Sequence, residues 1–281
     1  MRRLVVCVVA ALALPASALG QQRPLLTEDP ETVGEGRLLV EAGFDYGRGV
    51  LYPVSGLEGH LLRAPLVGFS IGLSSIAELQ IDGGLRNTLS ITGRDPLAPL
   101  AGMVTATGDS TSSVEDVVIG TKIRIAGETE SRPSVGIRFA TRLPNASNES
   151  GIGLDTTDFF AALLAAKTVQ SVRVVGNVGI GILADPTRGD RQNDVLTYGI
   201  SFARALTDAA EVVGEVNGRL DTRAGDPPPG TESRGIGRFG ARYTLGSWRA
   251  DAALLFGVTS RDPGIGFGAG ATYVFDAFQI P

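Results

Sequence analysis

Apolar residues recur at every second position along most of this chain, in segments separated by polar or glycine-rich connections. In the clearest segment, Val135, Ile137 and Phe139 share one face. Arg138 and Arg142 lie on the other face. A period of two residues is that of a β-strand, and no helix has it. Because charged residues or glycine recur on the second face of strand after strand, the pattern predicts a polar lumen inside an apolar band. The predicted fold is all-β, a transmembrane antiparallel up-and-down β-barrel.

The number and spacing of the alternating segments support the barrel. Single-chain bacterial barrels have an even number of strands, and about twelve are predicted here. The connections that follow odd strands are generally long and those that follow even strands short, as expected for external loops and periplasmic turns. The predicted strands run over residues 37–46, 61–73, 77–91, 114–126, 134–143, 157–168, 172–183 and 195–205, followed by four more that end at residue 275.

The amino-terminal residues resemble a secretory signal peptide. Two arginines at positions 2 and 3 precede an apolar run that is shorter than the ~20 residues of a spanning helix. Small residues follow, so we expect residues 1–20 to be removed by cleavage after Ala18 or Gly20. Export without a helical anchor, combined with a barrel, predicts the outer membrane of a Gram-negative bacterium.

Three further segments complete the predicted domain organisation. Residues 21–36 are polar and lack periodicity, and we interpret them as a periplasmic segment that could instead plug the barrel. The barrel is expected over residues 37–275. It ends in an aromatic stretch, Tyr273 to Phe275, typical of a barrel assembly signal, and residues 276–281 form a short extension.

Composition narrows the possible chemistry. The one cysteine, Cys7, lies in the predicted signal peptide, so the mature chain would have neither disulfides nor thiolate metal sites. Losing Arg2 and Arg3 with the signal would change the formal net charge from −5 to −7. A nucleic-acid partner would call for a basic patch, and none is expected. The sequence predicts no cofactor and no metal site.

Several short stretches resemble the outer-membrane transporter family named for the meta-pathway of phenol degradation. They are residues 26–37, 77–79, 115–122, 142–144 and 176–179, which recur in that order in the family. The resemblance implies a barrel that carries small, aromatic or hydrophobic molecules across the outer membrane. It implies no catalytic residues, since the family has no shared set of them.

Charged residues on the lumen face are the candidate functional residues. Opposite charges on adjacent strands could pair and fill the interior. Alternatively, arginine side chains could favour anionic solutes through paired hydrogen bonds along a permeation path. The predicted lumen-lining residues are Arg37, Glu41, Glu78, Asp82, Arg86, Asp116, Lys122, Arg124, Arg138, Arg142, Arg173, Glu211, Glu215, Arg219, Arg238, Arg242, Arg249 and Asp251.

Three functions remain open from the sequence. The favoured one is a channel or transporter for passive uptake, with outer-membrane lipid, the barrel assembly machinery and an unknown small solute as partners. A non-conducting structural or surface-binding barrel would instead use its long loops, residues 92–113 and 222–233. An outer-membrane hydrolase would need His60 as a base beside Ser55 or Glu58, whereas a solvated rim histidine is the simpler interpretation. We therefore predict a protein that is not an enzyme.

Overall fold

The computed structural model describes residues 23–278, and the predicted signal peptide lies outside them. The described chain forms fourteen strands with two short 3-10 turns in the connections. The strands are β1 (Arg37–Tyr52), β2 (Leu57–Gly72), β3 (Ala77–Gly84), β4 (Asn87–Arg94), β5 (Ser110–Ser113), β6 (Val118–Ala126), β7 (Ser134–Arg142), β8 (Asp158–Val169), β9 (Val172–Ala184), β10 (Gln192–Ala205), β11 (Ala210–Asp221), β12 (Arg234–Leu245), β13 (Trp248–Gly257) and β14 (Ile265–Asp276).

The strands close into a barrel with twelve positions around its circumference. Apart from β5, which pairs with β4 alone, each strand pairs antiparallel with a neighbour on both sides. β1 pairs with both β2 and β14, which closes the sheet. Two positions are each shared by two strand segments. Residues 66–72 of β2 pair with β3, and residues 57–63 pair with β4, so β3 and β4 share one position. On their other side, β3 pairs with β6 and β4 pairs with β5, so β5 and β6 share the next position. The predicted all-β barrel of about twelve antiparallel strands is confirmed.

The break between β3 and β4 lies beside a proline. Leu85 and Arg86 leave the regular ladder opposite Ala64 and Pro65, and Leu85 N–H donates to the Pro65 carbonyl at 3.0 Å. Proline has no N–H for a ladder hydrogen bond, which is why it favours irregular positions in sheets. One consequence is that the alternation of side chains shifts by one residue across the break. Even-numbered residues such as Asp82 face the lumen in β3, whereas in β4 the fully buried side chain is the odd-numbered Leu89.

Several strand boundaries differ from the predicted ones. The first two strands extend to Tyr52 and from Leu57, so the connection between them is short. The predicted loop 92–113 narrows to residues 95–109, because Ser110–Ser113 pairs with β4. Sequence periodicity fades in these stretches because Ser, Thr and Gly replace the apolar residues that mark a strand face.

The outer face of the barrel is apolar. Phe139, Leu163, Ile180 and Leu254 are each more than half exposed. Exposed apolar residues in such number on one side of a closed sheet are typical of the lipid-facing band of a transmembrane barrel. At one end of β13 and β14, the Trp248 and Tyr273 rings lie 4.5 Å apart, as in an interfacial aromatic girdle. Among residues 23–278, no helix has the length and hydropathy to cross a membrane.

The two ends of the barrel differ in their connections. The end with the longer connections, residues 95–109, 143–157 and 222–233 among them, is called the loop end. The opposite end, where β8 and β9 or β12 and β13 are joined by two residues, is called the turn end. The chain enters β1 from the turn end, and the residues that precede β1 lie in the lumen.

Candidate functional site

The lumen is lined by charged side chains that pair between neighbouring strands. Lys122 on β6 lies opposite Glu78 on β3, and its Nζ is 3.0 Å from Glu78 Oε1. Both side chains are fully buried. Arg238 on β12 lies opposite Glu215 on β11, with Nη1 2.8 Å from Oε1. A buried charge needs such a partner, because an unpaired one costs several kcal/mol of desolvation (~3–5 kcal/mol when a pair is broken).

The same arrangement continues toward the loop end. Arg142 on β7 pairs with Asp158, its partner residue on β8. Arg63 on β2 joins two carboxylates, with Nη2 2.7 Å from Asp45 and Nη1 2.9 Å from Glu115. These pairs stabilise the strand order, as cross-strand opposite charges do. Much of the lumen charge therefore has a structural role.

Residues 23–36 lie inside the barrel. Gly36 N–H donates to the Gly72 carbonyl at the turn end, and Val33 N–H donates to Glu78 Oε2 at 2.7 Å. Val33 is fully buried and packs with Leu39 and Val274. From there the chain crosses the turn half of the lumen. This location differs from the predicted periplasmic one. The polar groups of residues 23–36 find their partners on the lumen wall, inside the barrel.

Three acidic residues of this N-terminal segment pair with basic residues of the wall. Glu28 Oε1 lies 3.0 Å from Arg138 Nε, and Glu28 Oε2 lies 3.5 Å from Lys122 Nζ. Asp29 pairs with Arg173 on β9, and Glu31 pairs with Arg124 on β6. The four basic partners are called the basic ring, which consists of Lys122, Arg124, Arg138 and Arg173. The segment thus neutralises a set of lumen cations.

The far end of the segment is held by hydrogen bonds to the opposite wall. The Glu215 carboxylate accepts from Leu26 N–H at 2.9 Å, from Thr27 N–H at 2.8 Å and from the Thr27 hydroxyl at 2.7 Å. Arg23 Nε lies 3.5 Å from Asp251, whose side chain is fully buried. Arg23 N–H also donates to Glu41. The segment is therefore anchored on opposite sides of the barrel and crosses the lumen between them.

A turn outside the membrane-spanning strands supports the basic ring. Glu128, between β6 and β7, accepts from Thr168 N–H at 2.7 Å and from Arg173 Nη1 at 2.9 Å. Burial alone would raise the pKa of the Glu128 carboxyl, but these hydrogen bonds and the Arg173 charge outweigh burial and lower it. Arg173 is therefore clamped between Glu128 and the Asp29 carboxylate of the N-terminal segment.

Space remains between the N-terminal segment and one wall. A cavity of about 290 Å³ is bounded by Leu25 from the segment and by Leu66, Val67 and Asp82 from β2 and β3. Glu115, beside the interrupted wall, also lines it and has one buried carboxylate oxygen without a hydrogen-bond partner. The lining also includes Arg63, Arg138 and Arg238, so apolar, acidic and basic side chains all face this space.

The structure brings together most of the predicted lumen residues. Arg219, Arg242 and Arg249 donate to groups inside the barrel or its loop-end opening. Glu211 lies 3.8 Å from Arg242, and Arg37 lies 3.8 Å from Asp276 at the turn end. Other predicted residues take part in the contacts described above or line the cavities, as Asp82 and Asp116 do.

Arg86 is the exception. It is exposed, and within residues 23–278 its side chain has no hydrogen bond or ion pair. The prediction extended the alternation of β3 through a position where the strand is interrupted opposite Pro65. Sequence reasoning also missed Arg63, Asp158 and the acidic N-terminal residues as lumen groups. The sequence did hold a signal for the missed carboxylates: the predicted lumen residues include more basic than acidic side chains, so further acidic partners were required.

The hydrolase prediction depends on His60, which lies on β2 near the loop end. Its ring centroid is 6.4 Å from that of Tyr46, and its Nδ1 accepts weakly from Gly49 N–H at 3.4 Å. The Ser55 hydroxyl donates to the Gly151 carbonyl at 2.6 Å instead of facing the imidazole. Glu58 is exposed. The three residues do not form a base and nucleophile arrangement.

The closed sheet, the apolar outer face and the charged lumen define a twelve-stranded transmembrane β-barrel with an internal N-terminal segment. Solved structures of this class are similar to it over most of its length. An outer membrane channel from Pseudomonas putida F1 is 10% identical, covers 88% of this chain and 98% of its own, and has a TM-score of 0.62. The NanC porin is 10% identical over 84% of this chain and 98% of its own, with a TM-score of 0.52.

A third similar structure broadens the comparison. The translocator domain of the autotransporter NalP from Neisseria meningitidis is 14% identical over 85% of this chain and 88% of its own, with a TM-score of 0.50. No protein-family profile matches the sequence, and no match to a curated protein was found. At such identities the likeness establishes the fold, and function has to be argued from the lumen itself.

Proposed function

We propose that the protein is an outer-membrane channel for passive uptake of small organic solutes, described here in its closed conformation. The observation that carries the proposal is the N-terminal segment, which lies across a charged lumen and is held there by ion pairs with the basic ring. A barrel whose interior served only as a structural core would have its charges paired within the wall. Here several of them pair with a separate segment of chain, and among residues 23–278 Arg124 and Arg138 form their ion pairs only with that segment.

Location and solute class are part of the same proposal. The apolar outer face suits a lipid bilayer, and the predicted signal peptide would direct export to the outer membrane. The loop end would then face the exterior and the turn end the periplasm. The resemblance to the phenol-degradation family favours aromatic or hydrophobic solutes, and a similar solved structure is itself described as an outer membrane channel.

A reversible tether tests the proposal. Thr27 Cβ lies 3.5 Å from the position that a Cβ on Gly199 would take, which is within the range of disulfide geometry. The variant Thr27→Cys/Gly199→Cys should therefore lock the N-terminal segment to β10 when oxidised. Starting the chain at residue 21 removes Cys7, so no other thiol interferes.

The readout is conductance of the refolded protein in planar bilayers. We expect the oxidised variant to stay closed, reduction to restore openings, and deletion of residues 21–36 to give a permanently open channel. The two single-cysteine variants control for effects of substitution and should not respond to reductant. If the chain without residues 21–36 conducts nothing, the protein is not a channel and the non-conducting structural barrel becomes the better interpretation.

A further inference from the structure

Two arginines lie directly opposite each other near the loop end. Arg219 on β11 and Arg234 on β12 are partner residues in the sheet register. Like charges in this arrangement destabilise a sheet. Elsewhere on the same two strands, Arg238 faces Glu215 and Arg242 faces Glu211. The Arg219 and Arg234 pair is therefore a departure from the charge pairing of its own hairpin.

Neither arginine is neutralised by a carboxylate. Arg219 donates from Nε to the Glu232 carbonyl at 2.8 Å and from Nη2 to the Gly230 carbonyl at 2.7 Å. Arg234 donates to the carbonyls of Arg261 and Leu51. Within residues 23–278, no carboxylate lies within 4.0 Å of either guanidinium. Each guanidinium has five N–H donors, so further donors remain.

Two carboxylates in the loops around the arginines already accept other hydrogen bonds. Glu232 Oε2 accepts from Gly230 N–H at 3.0 Å. Asp262 Oδ2 accepts from Gly235 N–H at 2.9 Å and from the Thr259 hydroxyl at 2.7 Å. Both carboxylates thus hold the loops of the loop end in place instead of forming ion pairs with the arginines.

Both arginines line one cavity of about 250 Å³. A third arginine, Arg142, also lines it. Arg142 pairs with Asp158, and its buried Nε, which has no hydrogen-bond partner, lies 3.7 Å from Asp116. Asp116 is the one carboxylate in the lining. The remaining wall is largely apolar, with Leu51 and Ile152 on it. The volume is slightly below the ~300 Å³ at which pockets for drug-sized ligands begin, so a smaller molecule fits it better.

We propose that this cavity binds the carboxylate group of a small organic acid. A carboxylate matches the planar donor pair of a guanidinium and would offset the repulsion between Arg219 and Arg234. The apolar part of the acid would lie against Leu51 and Ile152. If the protein is the proposed channel, small organic acids become its solute class. Only this transport role rests on the proposed function, because binding to the cavity does not require the N-terminal segment to leave the lumen.

Benzoate is a suitable probe, and its binding to the refolded full mature chain in detergent is measured by titration calorimetry at low ionic strength. We expect saturable binding that falls at least tenfold in Arg219→Met and in Arg234→Met. Methionine retains an apolar stem and removes the charge. The control is Arg188→Met in the exposed β9–β10 loop, where the arginine lies 3.7 Å from Asp190 and outside the cavity lining. This variant should bind benzoate like the parent.

Two competitors define the ligand chemistry. Methyl benzoate, which has the ring but no charge, should not displace benzoate, and inorganic phosphate should displace it only at much higher concentration. Absence of saturable benzoate binding by the parent protein, or unchanged binding by both arginine variants, would overturn the inference. Displacement by phosphate at equal concentration would also overturn it in favour of a general oxyanion site. Because conductance is not measured, a failure here leaves the channel proposal to its own test.

Discussion

Replacing Glu215 by glutamine should release the N-terminal segment from the wall of β11. The carboxylate accepts hydrogen bonds from Leu26 N–H, Thr27 N–H and the Thr27 hydroxyl. Glutamine offers one acceptor oxygen, and its amide nitrogen would face N–H donors instead of accepting from them. The substitution Glu215→Gln therefore keeps the size and shape of the side chain while removing part of the anchor.

The size of the effect follows from these contacts. Arg238 donates to Glu215 Oε1 at 2.8 Å, whereas both donors of Thr27 reach Oε2, so the single oxygen of glutamine cannot serve both sets. A hydrogen bond to a charged acceptor contributes about 1.5–3 kcal/mol, and glutamine loses the two from Thr27 when its oxygen faces the buried Arg238 guanidinium. We take about 3 kcal/mol as the loss in docking free energy, which corresponds to a change of roughly a hundredfold in the closed-to-open equilibrium. In single-channel recordings at constant voltage, the open probability of a mostly closed channel should rise by a similar factor.

Glu211→Gln is the matched control. Glu211 lies on the same face of β11, 3.8 Å from Arg242, and one of its carboxylate oxygens has no hydrogen-bond partner. Its carboxylate makes no hydrogen bond to residues 23–36, so its substitution should leave the open probability nearly unchanged. Equal open probabilities for the two variants, with both still folded in a heat-mobility assay on gels, would refute the anchoring role of Glu215.

Three further predictions follow from other parts of the molecule. Arg138→Met/Arg142→Met should shift the reversal potential of the open channel toward cation preference in a salt gradient, and an unchanged potential would remove these arginines from the conduction path. For Glu128, whose pKa is lowered from 4.5, the deprotonated form stabilises the fold above that value and the stabilisation is lost as pH falls through the lower folded pKa. Melting temperatures of the parent and Glu128→Gln should therefore differ at neutral pH and converge in acid. Leu254→Arg, on the outer face, should cost about 2–4 kcal/mol of stability in liposomes, measured by denaturant titration, if that face contacts lipid.

Strand positions and facing were accessible from the sequence because they depend on local alternation. In β7, for example, Phe139 is 53% exposed on the outer face while Ser134 is fully buried, as their alternating positions predict. The pairing of Lys122 with Glu78 also follows once adjacent strands are placed in register. Such features need only a two-residue period and the antiparallel order.

The remaining features depend on contacts that are remote in sequence. The lumen location of residues 23–36 rests on pairs such as Glu28 with Lys122, and no local pattern specifies them. The exposure of Arg86 depends on Pro65 in the neighbouring strand, which disturbs a ladder that β3 alone would continue. The opposed arginines, Arg219 and Arg234, become visible only when the register of β11 and β12 is known.

The ion pairs of the N-terminal segment have a consequence for what an open channel would select. When Glu28, Asp29 and Glu31 leave the lumen, the basic ring loses those counter-charges while the wall of the pore keeps its arginines. In the proposed channel the segment would thus be both the gate and the counter-charge of a selectivity filter. Among residues 23–278, opening would leave Arg124 and Arg138 without an ion-pair partner, while Lys122 and Arg173 would keep Glu78 and Glu128. Permeation and anion preference would then appear together and disappear together, without any movement of the barrel wall.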